Sequence, residues 1–246
     1  MASSTVAAGD PKVKTGVPPL RAYEGHQFLW RRLHSLSGIF PIGAFLLEHY
    51  ISNAFATNGG NAYNQQVRLL TSLPFVVWIE VFFIYIPLLY HSLYGFYIWY
   101  RGDSNVGAAY PWTGNWMYAA QRWTGAIAFF YMGYHTYTMR FSGVHLLTHS
   151  AESFNKVYSA FQNPWVVAFY IVGIVAASWH FAYGLWLFAA KWGITVGEGA
   201  RRRFGIVCVG IGAVLIVIGM ASMLAFLTGT PTTPTDSETS RLVHRF

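Results

Sequence analysis

The sequence predicts an all-α membrane protein of five transmembrane helices, four of which form a bundle, with the N-terminus on the cytoplasmic side. Three observations carry that prediction. Of the 246 residues 54% are hydrophobic, 18% aromatic and only 10% charged, proportions that are wrong for a soluble domain of this length and suit a polytopic membrane protein. Apolar runs that reach the roughly 20 residues needed to cross a bilayer occur at 30–55, 74–100, 116–139, 164–192 and 204–227. Lysine and arginine, finally, divide unequally between the two sides of those runs.

Residues 1–25 are polar, with Pro11, Pro18 and Pro19 and no apolar core, so they read as an exposed cytoplasmic arm rather than a secretory signal. Residues 26–228 make up the membrane domain. Its runs must be helices, because backbone groups in lipid have to be satisfied within their own segment and no alternating barrel pattern is visible. Pro74 and Pro164 fall at helix starts, where a missing N–H does little harm, whereas Pro41 and Pro87 lie inside runs and should kink them. Trp30, Trp99, Trp112, Trp116 and Trp192 stand near run ends, as interfacial anchors do. The fifth run has no histidine and no internal charge, and its Gly210, Gly212 and Gly219 suit close approach to the bundle. Residues 229–246, with Pro231 and Pro234, read as a flexible external tail.

The arm, the second loop and the fourth loop hold Lys12, Lys14, Arg21, Arg31, Arg32, Arg101, Arg122, Lys191, Arg201, Arg202 and Arg203. The opposite side holds Arg68, Arg140, Lys156, Arg241 and Arg245. The positive-inside rule therefore puts the N-terminus in the cytoplasm and the C-terminus outside. The net charge of +7 reflects this topology rather than nucleic-acid binding. A single cysteine, Cys208, excludes an internal disulfide and any cysteine-ligated iron–sulfur cluster within the chain.

His49, His91, His135 and His180 each lie in the later half of a different run. An ionisable residue at membrane depth is costly and marks function, so four of them call for a shared partner. Alternating helix direction sorts them into two pairs. His91 and His180 sit on inward-running helices, roughly 15 Å from Arg101 and roughly 16 Å from Lys191 along the axis. His49 and His135 sit on outward-running helices, roughly 26 Å from Arg32 and roughly 20 Å from Arg122. Two imidazoles at one depth in a helix bundle can supply both axial ligands of a b-type haem. Two haems b are thus expected, an inner one on His91 and His180 and an outer one on His49 and His135. Gly95 and Gly184 follow the inner histidines by one turn, and Gly38 and Gly125 lie at similar depth on the other two helices, where a missing side chain leaves room for a macrocycle.

Propionates would need cationic or hydrogen-bonding partners near the interfaces. His34, Ser35, Arg31, Arg122 and Lys191 are the candidates inside and Arg140 outside. Glu48, beside His49, and Glu80, about 16 Å outward of His91, are candidates for exchanging protons with a quinone. His26, His145, His149 and His244 fall in expected loops or tails and receive no role. No glycine loop of the dinucleotide type follows a strand, so no flavin site is expected on this chain. On these residues alone, two other readings stay open: a dihaem cytochrome b serving a hydrogenase or formate dehydrogenase, and a haem-free transporter using the same histidines and acids.

Several ordered strings narrow the choice: Arg31-Arg32-Leu33-His34-Ser35, Leu47-Glu48-His49, Ser72-Leu73-Pro74-Phe75, Pro87-Leu88-Leu89-Tyr90-His91, Gln121-Arg122-Trp123-Thr124-Gly125, Phe169-Tyr170-Ile171-Val172-Gly173 and Trp192-Gly193-Ile194-Thr195-Val196. Together, from about Gln27 to Leu227, they resemble the dihaem cytochrome b anchor subunit of menaquinone-linked succinate dehydrogenases, the cytochrome b558 type. The resemblance implies a multi-pass protein of the bacterial cytoplasmic membrane that anchors a flavoprotein and an iron–sulfur subunit. It implies His91 and His180 as ligands of the proximal haem, His49 and His135 as ligands of the distal one, and His34, Ser35 and Lys191 near proximal propionates. It also implies that succinate is oxidised on a partner subunit and that a quinone, menaquinone by family, is met near the distal haem. One position departs from some fumarate reductases of this type: the glutamate they carry two residues before the helix-four ligand is Ser178 here.

Overall fold

The computed structural model describes residues 22–102, 106–107 and 113–233. The arm up to Arg21, Trp112 and the tail from Pro234, with His244, lie outside the described residues. The chain divides between Leu33 and His34 into two compact units. In the first, the guanidinium of Arg32 lies 4.9 Å over the Phe28 ring.

Among the described residues every regular element is helical. Helix α1, Ala22–Ile39, starts within the expected arm and includes His26. It stops at Phe40-Pro41, and α2, Ile42–Ala54, continues the run. Pro41 thus breaks the first predicted span rather than merely bending it, since it has no N–H to offer the ladder. A 3-10 turn, Phe55–Asn58, leads through Gly59 at φ 98°, a backbone conformation that favours glycine, into α3, Gly60–Thr71. Pro74 lies in the turn before the next helix, not in its first turn. That helix runs unbroken from Val76 to Tyr100 as α4, Val76–Ile79, a π turn, Glu80–Tyr85, and α5, Ile86–Tyr100. Pro87, expected to kink this span, stands in the first turn of α5, two residues after the π turn.

Helix α6, Thr113–Thr136, also ends in a π turn, Tyr137–Phe141. A 3-10 turn, Ser150–Glu152, precedes α7, Ser153–Phe161. Helix α8, Pro164–Lys191, begins with Pro164 in its first turn and is capped by the Asn163 side chain, which accepts from Trp165 N at 3.0 Å. Helix α9, Glu198–Thr228, completes the order after Gly197 at φ 82°.

Among the described residues three helices are long and apolar enough to cross a membrane: Val76–Tyr100, Pro164–Lys191 and Glu198–Thr228. The other two predicted spans are helical but do not meet that description. Helix α2 has 13 residues, α1 carries Glu24, Arg31 and Arg32, and the 24 residues of α6 are diluted by Asn115, Gln121, Arg122 and Thr124.

Helix α8 is the hub and packs most extensively on α6 and α9. Small buried residues, Ala176, Ala177, Ala182 and Ala189, allow this closeness. Gly212 and Gly219 of α9 serve it as expected, because an added Cβ would lie 3.1 Å from Ala182 Cβ and 2.7 Å from Ile174 Cγ2. Gly210 does not: it faces open space.

A cluster of buried aromatic side chains joins two segments expected to be loops to the ends of two long helices. Tyr63 of α3, Phe154 and Phe161 of α7, Tyr170 of α8 and Phe226 of α9 form an aromatic cap, with ring centres 4.8 Å apart for Tyr63–Phe226 and for Phe161–Tyr170. Burial pushes the Tyr63 phenol well above its ordinary range. Asn64 accepts from Phe154 N at 2.8 Å, and Asn155 both accepts from Thr232 N and donates to Thr232 O, at 2.8 and 2.7 Å. The chain just beyond α9 is therefore held on the cap. Lys156 donates to the carbonyls of Met139, Ser142 and Val144 at 2.9, 2.6 and 2.8 Å, a cation closing the end of α6. Burial, and then the charge of Arg140, push its ammonium below the usual lysine range.

Candidate functional site

Helix α5 presents His91, and α8 presents His180, to one cavity of about 290 Å³. The ring centres are 6.1 Å apart and the rings perpendicular. An imidazole nitrogen binds a metal at about 2 Å, so two rings sharing one iron need centres about 6 Å apart. Gly95 and Gly184 line the same cavity, as do Gly38 and Gly125.

The hydrogen bonds of the two rings identify which nitrogen is available. His91 Nδ1 lies 2.9 Å from the carbonyl oxygen of His34, and His180 Nδ1 lies 3.0 Å from that of Gln121. A carbonyl only accepts, so each Nδ1 carries the proton and each Nε2 keeps its lone pair. That is the state a ligating histidine requires, with its other nitrogen tied to a backbone acceptor.

Gly38 and Gly125, expected to leave room for a macrocycle, face the two imidazole rings. A Cβ on Gly38 would overlap His91 Cε1, and one on Gly125 would lie 2.7 Å from His180 Cε1. Both glycines are spaces for the imidazoles themselves.

The cationic candidates gather at the same cavity. His34, Ser35, Arg122 and Lys191 all line it. The Arg122 guanidinium stacks 3.1 Å over the Tyr118 ring, and its three nitrogens are buried without a hydrogen-bond partner in the described structure. A buried guanidinium with unused donors is an anion receptor, and a carboxylate is the anion its fork fits best. His34 stacks on His91, with ring centres 4.1 Å apart. Arg31 is exposed in the N-terminal unit.

The second pair is also together. His49 of α2 and His135 of α6 have ring centres 5.5 Å apart, edge to face. His135 Nδ1 lies 3.1 Å from the Tyr170 hydroxyl, and Tyr131 stacks on the His135 ring at 5.8 Å. The two acids have separate surroundings. Glu48 accepts a hydrogen bond from Ser52, whose oxygen accepts in turn from Gln66 Nε2 at 3.1 Å, so a polar chain leads from beside His49 to α3. Glu80 is clasped by Arg140 through Nε, 3.2 Å from both carboxylate oxygens, and Nη2, 2.6 Å from one of them. Arg140, expected as a propionate contact, thus joins the two π turns in an ion pair. His145 and His149 are exposed loop residues, as expected.

Sequence reasoning missed three features. Gln121 clamps His180 twice, through its carbonyl and by donating from Nε2 to His180 O at 3.1 Å. Tyr170 orients His135. Ser178 is fully buried and lies 2.9 Å from the Tyr50 hydroxyl, so the position that departs from some relatives holds a satisfied hydroxyl pair. The backbone acceptors leave no side-chain signal, but the recurrence of hydroxyl-glycine in Ser37-Gly38 and Thr124-Gly125 is visible in the sequence.

Comparison with known proteins finds relatives of this chain. The profile of the succinate dehydrogenase/fumarate reductase transmembrane subunit family matches residues 104–219. The chain is 37% identical over 202 residues to the succinate dehydrogenase cytochrome b558 subunit of Bacillus subtilis, covering 82% of this chain and 98% of that one. It is 30% identical over 116 residues to the succinate dehydrogenase hydrophobic membrane anchor subunit of Thermoplasma acidophilum, covering 47% of this chain and 88% of that one.

Proposed function

The chain belongs to the family of succinate dehydrogenase/fumarate reductase transmembrane subunits, and from that membership we propose that it anchors such an enzyme in the bacterial cytoplasmic membrane and conducts electrons between an iron–sulfur subunit and menaquinone. Succinate is oxidised on a partner flavoprotein subunit. In this reading the chain crosses the membrane five times with its N-terminus inside. Three apolar helices and the helical, though more polar, segments around His49 and His135 support that topology.

The observation that carries the reading is the inner cavity. Two imidazoles line it at a spacing that fits one shared iron, each with Nδ1 committed to a carbonyl and Nε2 left to bind metal. His91 and His180 would hold one haem b, and His49 and His135 a second. Bound there, such a group supplies a one-electron carrier whose potential is tuned by its ligands and surroundings. The residues around it bind and orient. Arg122, whose guanidinium has no hydrogen-bond partner among the described residues, would take an inner propionate, aided by His34, Ser35 and Lys191 at the cavity wall. Glu48, with its polar chain through Ser52 and Gln66, is the better-placed acid for proton exchange with a quinone near the outer pair, because Glu80 is engaged by Arg140.

An absorption spectrum tests the core of this. The purified, reduced chain should show a b-type α band, and extraction should yield two haems per polypeptide. A chain without that band overturns the reading. Arg122→Ala should weaken inner haem retention roughly 10-fold or more, since a charge-assisted bond contributes about 1.5–3 kcal/mol. Haem-transfer kinetics to apomyoglobin measure this, and unchanged loss rates for both haems would remove Arg122 from the site.

A further inference from the structure

We propose that α1 and α6 carry the same positioning device, a hydroxyl residue followed by glycine, set three and four residues after the carbonyl that receives an inner imidazole, and that this device aims His91 and His180 and sets their strength as ligands. The proposal rests on the reading of those histidines as haem ligands.

The correspondence is residue by residue. On α1, the His34 carbonyl accepts from His91 Nδ1 at 2.9 Å and from Ser37 Oγ at 3.0 Å, and Gly38 follows. On α6, the Gln121 carbonyl accepts from His180 Nδ1 at 3.0 Å and from Thr124 Oγ1 at 3.3 Å, and Gly125 follows. A helix carbonyl points along the axis toward the residue four further on. A ring from a neighbouring helix reaches that oxygen only by passing over that fourth residue. A Cβ there would meet the Cε1 edge of the ring in both cases, so glycine opens the approach.

The hydroxyl supplies the adjustment. A serine or threonine inside a helix bonds back to a carbonyl one turn earlier, and here that carbonyl is the imidazole's acceptor. Sharing the oxygen weakens its hold on Nδ1–H and leaves the ring a less basic ligand. The two copies differ in degree. Ser37 Oγ bonds to the imidazole's acceptor at 3.0 Å, whereas Thr124 bonds more closely to Ala120 O, at 2.7 Å, than to Gln121 O, at 3.3 Å. His91 is therefore the more strongly modulated ligand.

The test uses the full chain, purified with its haems and titrated for midpoint potentials, with low-spin EPR as a second readout. Ser37→Ala should lower the potential of the inner haem and leave the outer one in place, Thr124→Ala should produce a smaller shift in the same direction, and Ser37→Thr should restore the original value. Gly38→Ala and Gly125→Ala should each lose the inner haem or change its EPR signal. Unaltered EPR and potentials in both glycine variants overturn the proposal. If those variants do not accumulate, an unshifted inner potential in Ser37→Ala overturns it alone. Loss of a haem in His91→Ala separates the two levels: if that haem is lost and the Ser37 and glycine variants are silent, the device falls and the ligand assignment stands. If His91→Ala retains both haems, the assignment falls and takes the device with it.

Discussion

His91→Ala and His180→Ala are each expected to abolish one and the same haem, halving the b-type absorbance while the second spectral component persists. The expectation follows from their shared cavity and from the commitment of each Nδ1 to a carbonyl on a different neighbouring helix. His49→Ala and His135→Ala should remove the complementary component. Each truncation would remove one of the two side chains that hold the group and open a gap at an apolar site, so loss rather than mere weakening is the outcome to look for. Redox-difference spectra of the four purified variants decide it. If His91→Ala and His180→Ala delete different components, the pairing is refuted.

Phe154→Ala is expected to be the most damaging change remote from the histidines, costing about 3–5 kcal/mol, the range for truncating a buried aromatic residue. Phe154 is 1% exposed, and its ring packs on Tyr63 and Phe226 at 6.5 and 5.3 Å, joining α3, α7 and α9. Its backbone N–H is also the donor that fixes Asn64. The variant should unfold at a clearly lower temperature in detergent, followed by circular dichroism. Phe82→Ala, at a 55% exposed position on the helix that runs from Val76 to Tyr100, should scarcely move it. Equal midpoints for Phe154→Ala and the parent chain would show that the cap does not limit stability.

The parts of this molecule governed by periodicity and by the cost of buried polarity were legible in the sequence. Four histidines in four apolar runs stand out because lipid penalises them, and helix direction alone sorted them into the two pairs that the structure brings to 6.1 and 5.5 Å. The glycines at 38, 95, 125 and 184 were found for a related reason. The cap was not legible. Helices α3 and α7 are short, of 12 and 9 residues, and amphipathic, so they look like polar loops beside the apolar runs, and their burial depends on the ends of α8 and α9. The Glu80–Arg140 ion pair was also out of reach, because it joins residues sixty apart through two π turns that no residue spacing announces. Backbone acceptors such as the His34 and Gln121 carbonyls are hidden from any reading of side chains.

The π turn at Glu80–Tyr85 acts as a phase shifter. Glu80 and His91 are eleven residues apart, about three turns of an unbroken α-helix, and would point to one side of it. A single widened turn between them delays rotation by about 100°, the angle of one residue. The helix can then turn its acid to Arg140, in the π turn that follows α6, and its imidazole to the inner cavity. Two groups on one rod are thereby addressed to different neighbours, and the angle between them is set by the winding of the backbone.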